Sequence, residues 1–456
     1  MYMKLIQTIP AQNIFGRELT LNPSDVKAST ELRIVNVYPE VRYQEIIGFG
    51  GAFTESSAYN YSLLTDEQKQ LFMEAHFGAE GLAYNFGRTH IASCDFSLDI
   101  YAHVEDGDED LSTFSLDRDR KYIIPFLKDA MRYSGEPIML FASPWSPPAY
   151  MKDNESAVGG GCLKEEYKAL WAAYYCRYIQ EMEKEGISIF GITVQNEPKA
   201  IQSWESCSYD ARQEAEFIEK YLAPALDAHG LSHIKIMIWD HNKERVYDRA
   251  RDTLSSPAVN ERVWGVAHHW YSGNHFEGLR LVHEQLGKTL ICGEICAVID
   301  DDVNEVAERY GVELCGNFAN YCAAFCDWNM LLDEVGGPYH NRNRPPKVMP
   351  DGTLFENKAK GCYAPVLYNK NTGELVFTPI FHYIKHFSGY VRRGAVRVAT
   401  TTHDCRLHTV AFQNPDGQLV LVMVNPTADQ ITTNIRLNGQ VTGAKMPPHS
   451  IATVLL

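Results

Sequence analysis

Basic charge is scarce in this 456-residue chain: 42 Lys and Arg stand against 58 Asp and Glu, a formal net charge of −16, with no dense basic run. Neutralising phosphates requires a basic face, so no nucleic-acid partner is expected. No apolar run is long enough to span a bilayer, and no integral membrane segment is expected either. The opening residues, MYMKLIQTIPAQNIFGREL, lack a basic region followed by a long apolar stretch and a small-residue cleavage site, so the expected location is the cytoplasm. Internal repeats and low-complexity tracts are missing as well. Cysteine is present eleven times, an odd number, mostly in apolar settings such as TLICGEIC and NYCAAFCDW, which fits reduced thiols rather than a disulfide framework. The pairs Cys292/Cys296 and Cys322/Cys326, even with His268 and His269 considered beside them, lack the spacing of a structural zinc site, and no metal is expected.

What is present reads as an ordinary globular α/β chain: 45% hydrophobic and 22% charged residues, long enough for one large domain and a smaller one. Eight short apolar runs alternate with helical patterns, at 46–51, 83–88, 137–143, 189–194, 235–240, 263–268, 288–294 and 321–328. Eight such βα units predict a closed (β/α)8 TIM barrel. In the helix between Lys164 and Gly186, Tyr167, Leu170, Trp171, Tyr174, Tyr175, Tyr178, Ile179 and Met182 form one stripe that should face the core. Thr65 and Gln68 read as a capping box, and Gly230 and Gly287 as helix stops. After Gly389 the period becomes that of strands, at 408–413, 418–424, 431–437 and 451–456, a β-sandwich pattern that the piece 31–37 could join. The expected organisation is a segment 1–40 joining the sandwich, a catalytic barrel 41–388 and a sandwich domain 389–456.

Barrel chemistry sits at the C-terminal ends of the strands. Those ends carry Asp95, Trp145, Asn196 with Glu197, Asp240 with His241, His269 to Tyr271, Glu294, and Trp328 with Asn329. Aromatic faces suit the CH-rich face of a pyranose, and Asn and Asp suit its hydroxyls. Glu197 in GITVQNEP and Glu294 in TLICGEIC each follow an apolar strand, where an unpaired carboxylate costs several kcal/mol and needs a reason. Either alone could be a salt-bridged structural residue. Together, at the fourth and seventh strand ends, they form a candidate acid and nucleophile that could approach to about 5 Å, the spacing for retention at the anomeric centre. The charge of Glu294 is expected to raise the pKa of Glu197. Trp171 and its tyrosines read as core, while Asp240 and His241 fit structural and substrate roles equally.

In order along the chain, Gly48-Phe-Gly-Gly-Ala-Phe-Thr54, Arg88, Ala92-Ser-Cys-Asp-Phe-Ser97, Ala142-Ser-Pro-Trp-Ser-Pro147, Gln195-Asn-Glu-Pro198, His269-Trp-Tyr271, Gly293-Glu294, Asp327-Trp-Asn329, and Gly336-Gly-Pro338 with Arg342-Asn343 closely resemble glycoside hydrolase family 30. The resemblance implies a retaining mechanism on a barrel with a β-sandwich side domain, and no metal or organic cofactor. It implies Glu197 as acid/base, Glu294 as nucleophile, Asn196 at the sugar 2-hydroxyl, Asp95 and Trp145 at remote hydroxyls, and Trp328 as stacking platform. Tyr271 would steady the ionised nucleophile, with His269 and Asn343 completing the substrate contacts. Tyr339 and His340 depart from the Asn-Trp pair of the glucosylceramidase pattern, which touches aglycone recognition. The expected activity is that of a cytoplasmic, bacterial, exo-acting β-glucosidase of glucosylceramidase type working on a β-glycoside or oligosaccharide. The alternatives are a β-xylosidase, a β-1,6-glucanase, or a carbohydrate-binding protein without chemistry. Catalysis by Cys296 is disfavoured because it lacks a His/Asn partnership.

Overall fold

The computed structural model describes residues 3–22, 31–340, 347–348, 354–355 and 360–456. A hairpin of β1 (Met3–Ile9) and β2 (Ile14–Leu21) is followed by the long β3 (Ile34–Glu45). Eight parallel strands then close into a barrel: β4 (Gly48–Ala52), β5 (Phe86–Ile91), β6 (Met139–Pro144), β7 (Ile189–Thr193), β8 (Lys235–Asn242), β9 (Val263–His269), β10 (Thr289–Glu294) and β11 (Cys322–Asn329). Each corresponds to a strand read from the sequence.

The largest shift is in β5, expected at 83–88. Residues 82–84 are used instead to finish the preceding helix, Asp66–Phe77: the Leu82 N–H donates to the Ala75 carbonyl at 2.8 Å and the Tyr84 N–H to the His76 carbonyl at 2.9 Å. The strand therefore starts at Phe86, and Arg88 moves from its end to its middle. Below that level the barrel is plugged by Phe86, Phe141, Met237, Ala267, Ile291, Ala324 and Cys326, a packed layer rather than a channel.

Around the barrel, the helix Lys168–Lys184 buries Trp171, Tyr174, Tyr175, Tyr178, Ile179 and Met182, while Tyr167 and Leu170 are only partly covered. Thr65 and Gln68 exchange both bonds of the capping box. Gly230 and Gly287 take the left-handed conformation (φ +75° and +65°) that ends a helix without a Cβ clash.

A nine-stranded sheet stands beside the barrel in the order β2, β1, Ser450–Leu455, Leu419–Asn425, His408–Gln413, Val396–Thr402, β3, Ile431–Leu437, Gln440–Met446. All pairings are antiparallel except that of Ile431–Leu437 with β3. Its amino-terminal strands thus share one sheet with the carboxy-terminal ones. One core spans sheet and barrel, since Phe318, Tyr383 and Phe387 pack in the same cluster as Val410, Phe412, Val422 and Ile451. Among the described residues no helix is long and apolar enough to cross a membrane.

Candidate active site

The barrel mouth is organised around a buried cation. Arg88, in the middle of β5, donates from Nη1 to Glu294 Oε2 at 2.6 Å and from Nη2 to Asn196 Oδ1 at 2.8 Å and Asp240 Oδ2 at 2.7 Å. Its Nε donates to Ser143 Oγ at 3.1 Å. A guanidinium is always charged and presents its donors in a fixed fork, so one side chain sets the orientation of groups at the ends of three strands. The face of that fork lies 4.6 Å from the Trp145 ring centroid and 5.4 Å from that of Trp328. The two indoles stack on each other, centroids 5.1 Å apart and planes 20° from parallel, and both are almost wholly buried.

Asp240 is the principal counter-charge. Its Oδ2 accepts from Thr193 Oγ1 at 2.7 Å and from Ser143 Oγ at 3.1 Å as well as from Arg88, and its Oδ1 lies 2.9 Å from His269 Nε2. Burial raises the Asp240 carboxyl, but the Arg88 charge and the His269 bond outweigh it and hold the group well below the carboxylate range. Asp240 and Glu197 both adopt left-handed backbone conformations, φ +46° and +47°, rare for residues with a Cβ. The Glu197 N–H donates to the Asp240 carbonyl at 3.0 Å, locking the two strained positions together.

His269, at the end of β9, lies between the two glutamates: its Nδ1 is 3.3 Å from Glu197 Oε1 and 3.7 Å from Glu294 Oε1. Tyr271 donates to Glu294 Oε1 at 2.8 Å. One oxygen of each glutamate and a nitrogen of His269 all lie within 4.8 Å of one another. Burial pulls the His269 imidazole down, yet the Glu294 charge and the bonds to Asp240 and Glu197 carry it up to about 10.

The electrostatics reverse one expectation. Burial raises Glu197, but the bond from His269 and the neighbouring His241 prevail, and Glu197 is held below the usual glutamate range rather than raised by Glu294. Burial raises Glu294, and with the Glu197 charge it prevails over His269, Arg88 and Tyr271, so Glu294 is held above the usual glutamate range. Asp95 is pushed well up by burial and by the charges of Glu294, Glu205 and Glu197, and its buried Oδ1 has no hydrogen-bond partner among the described residues.

Of the residues singled out in the sequence, Glu197, Glu294, Asn196, His269 and Tyr271 share this network, with Trp145 and Trp328 against its cation and Asp95 electrostatically coupled to it. Asn343 lies outside the described residues. Asp240, open between two roles, is a structural anchor of the network. The sequence pattern marks Arg88 only as one of the family-like positions and not as a site residue; a lone Arg inside the apolar strand FGRTHI is the signal that points to it. The buried pair of His340 Nε2 and Glu205 Oε2, 2.9 Å apart, was also missed, being distant in sequence.

Paired glutamates at the fourth and seventh strand ends of a TIM barrel, with aromatic and amide groups around them, are the working parts of a glycoside hydrolase. The chain belongs to glycosyl hydrolase family 30: residues 46–391 match its TIM-barrel domain and residues 394–454 its beta sandwich domain. It is 29% identical to the lysosomal acid glucosylceramidase of Mus musculus, over 94% of this chain and 86% of that protein. It is 28% identical to an endo-1,6-beta-D-glucanase of Trichoderma harzianum, over 91% and 84%. The solved structure of SrfJ from Salmonella typhimurium superposes with a TM-score of 0.93 at 32% identity, covering 100% of this chain and 99% of that one.

Proposed function

We propose that the protein is a retaining, exo-acting β-glucosidase in which Glu294 attacks the anomeric carbon and Glu197 serves as acid and then base. The observation that carries this reading is the approach of one Glu197 oxygen and one Glu294 oxygen to within 4.8 Å. That suits direct attack, because an inverting pair stands roughly 6.5–9.5 Å apart to admit a water. Glu294 has the donors a nucleophile needs to stay ionised, a guanidinium at 2.6 Å and a phenol at 2.8 Å. The proton destined for the leaving oxygen is held on His269, one short transfer from Glu197. Loss of the negative charge as Glu294 becomes glycosylated releases His269 from one of its stabilising partners. Glu197 then draws a proton from the incoming water.

A β-glucoside is the favoured substrate because one kind of relative is a glucosylceramidase and the other an endo-1,6-beta-D-glucanase, both acting on glucosyl units and the second on β-linked ones. Endo action on a β-1,6-glucan is the second reading, favoured by the glucanase relatives and by Tyr339 and His340 standing in place of the glucosylceramidase Asn-Trp pair. A panel of aryl β-glucosides, β-xylosides and β-galactosides, followed by β-1,6-linked gluco-oligosaccharides, separates these. Release of glucose with the β configuration in the first turnovers, observed by NMR, is expected. Glu294→Ala should abolish turnover, and added azide should yield the α-glycosyl azide; full activity in that variant removes the assignment.

A further inference from the structure

All eleven cysteines are unpaired thiols, and seven are buried. Cys296 and Cys362 are half-buried at the barrel mouth. Beyond the end of β10, Val298 bridges Cys362 in antiparallel fashion, flanked by bonds from the Ile299 N–H to the Gly361 carbonyl at 2.9 Å and from the Tyr363 N–H to the Ala297 carbonyl at 2.8 Å. This pairing holds the two sulfurs 3.5 Å apart. On its other side Cys296 Sγ is 3.4 Å from the Tyr271 hydroxyl, which is 2.8 Å from Glu294 Oε1. An ionised carboxylate only accepts, so the single phenolic proton points to Glu294 and the phenol oxygen is left to accept from the thiol side. Two sulfurs, a phenol and the proposed nucleophile thus form one continuous chain.

We propose that Cys296 and Cys362 are a site of oxidative modification, an oxidisable thiol pair whose disulfide slows turnover by withdrawing the thiol from Tyr271. The effect on turnover rests on the reading of Glu294 as nucleophile. With a hydroperoxide as oxidant the step balances. One thiol loses its proton and its sulfur attacks a peroxide oxygen; the O–O bond breaks and, for hydrogen peroxide, the departing hydroxide leaves with that proton as water. The second sulfur attacks the resulting sulfenic sulfur, the S–O bond breaks, and hydroxide leaves with the second thiol's proton as another water. Two electrons pass from the thiols to the peroxide. Either sulfur can make the first attack, the other then resolving the sulfenic acid. Closing the sulfur gap from 3.5 Å to about 2.05 Å draws Cys296 away from the phenol.

The test uses the full chain. Reduced protein is treated with hydrogen peroxide, its remaining thiols are alkylated, and the digest is analysed by mass spectrometry alongside turnover of an aryl β-glucoside. A peptide pair joined through Cys296 and Cys362, two hydrogens lighter than its parts, is expected. Turnover should fall about 3- to 10-fold, the effect of one hydrogen bond, and recover with dithiothreitol. Cys362→Ser and Cys362→Ala should keep the basal turnover and show no reversible fall. Absence of the linked peptide overturns the proposal, as does a link that leaves turnover unchanged or a reversible fall that persists in both variants. The link is read by mass alone, so its absence counts against the thiol pair whatever the glycoside panel shows.

Discussion

Arg88 holds together what the rest of the site uses, and its replacement separates positioning from mere positive charge. Arg88→Lys keeps the charge but loses the fork that reaches Glu294, Asn196, Asp240 and Ser143 at once. Turnover should fall at least about 100-fold, comparable to removing one transition-state donor, with the near-ultraviolet circular dichroism retained; an enzyme within a few-fold of the parent would show that the fork is dispensable. For His269, the proton-store reading makes a sharper demand. His269→Gln should cost about 100-fold or more on an alkyl β-glucoside, whose leaving oxygen must be protonated, and far less on a dinitrophenyl β-glucoside, whose leaving group departs unaided. Equal losses on both substrates would reduce His269 to a structural part. Glu197 and Glu294 were legible in the sequence because a carboxylate directly after an apolar strand is costly unless it has work there. Arg88 obeys the same logic, but the sequence pattern puts it at a strand end, whereas Leu82 and Tyr84 finish the preceding helix and leave it mid-strand. The pKa order of the pair was not legible, since it depends on His269 lying 3.3 Å from Glu197, a through-space distance between residues 72 apart in the chain.

Whole elements were read more readily than their edges. The barrel strands are buried runs separated by helices of marked period, and the stripe on Lys168–Lys184 was complete except around its start, where Tyr167 and Leu170 pack only partly buried against the core. The strands Val396–Thr402 and Gln440–Met446 were passed over. The latter carries Gly443 and Lys445 on its exposed face, so little of its pattern distinguishes a sheet edge from a loop. Two substitutions test why the elements sit where they do. Trp171→Ala empties a fully buried site against Tyr174 and Tyr175 and should lower the unfolding free energy by about 3–5 kcal/mol in urea titrations while leaving KM unchanged. In β4, a Cβ added at Gly50 would lie 1.5 Å from the Phe86 carbonyl oxygen, a backbone atom that cannot step aside. Gly50→Ala should therefore yield no soluble folded protein, and a folded variant would mean that the β4–β5 seam can open.

At the scale of the molecule, one buried histidine ties the side sheet to the barrel. His386, on the helix Pro379–Ser388, has Nδ1 2.9 Å from Thr453 Oγ1 and Nε2 2.8 Å from Thr8 Oγ1. Thr453 spends its own proton on the His386 carbonyl, so its oxygen accepts from Nδ1–H, and Thr8 donates to the bare Nε2. A neutral ring satisfies both bonds, and burial with the nearby His382 and Lys385 pushes its pKa down to about 3. The unfolded chain takes up this proton near pH 6.5. Between about pH 6.5 and 3 the unfolded state therefore binds more protons, and stability from His386 is present above that window and lost as pH falls through it. His269 has the opposite sign: raised to about 10, it contributes stability that is full below about pH 6.5 and lost as pH rises through the folded value. The two limbs flank a stability maximum near neutrality, and they report different seams, sheet to barrel on the acid side and barrel mouth on the alkaline side. Because one core runs through both domains, unfolding should be a single calorimetric transition across this range. His386→Gln should flatten the acid limb of unfolding free energy against pH and leave the alkaline limb, while His269→Gln should do the reverse. Parallel curves for parent and variants would show that neither histidine links folding to pH.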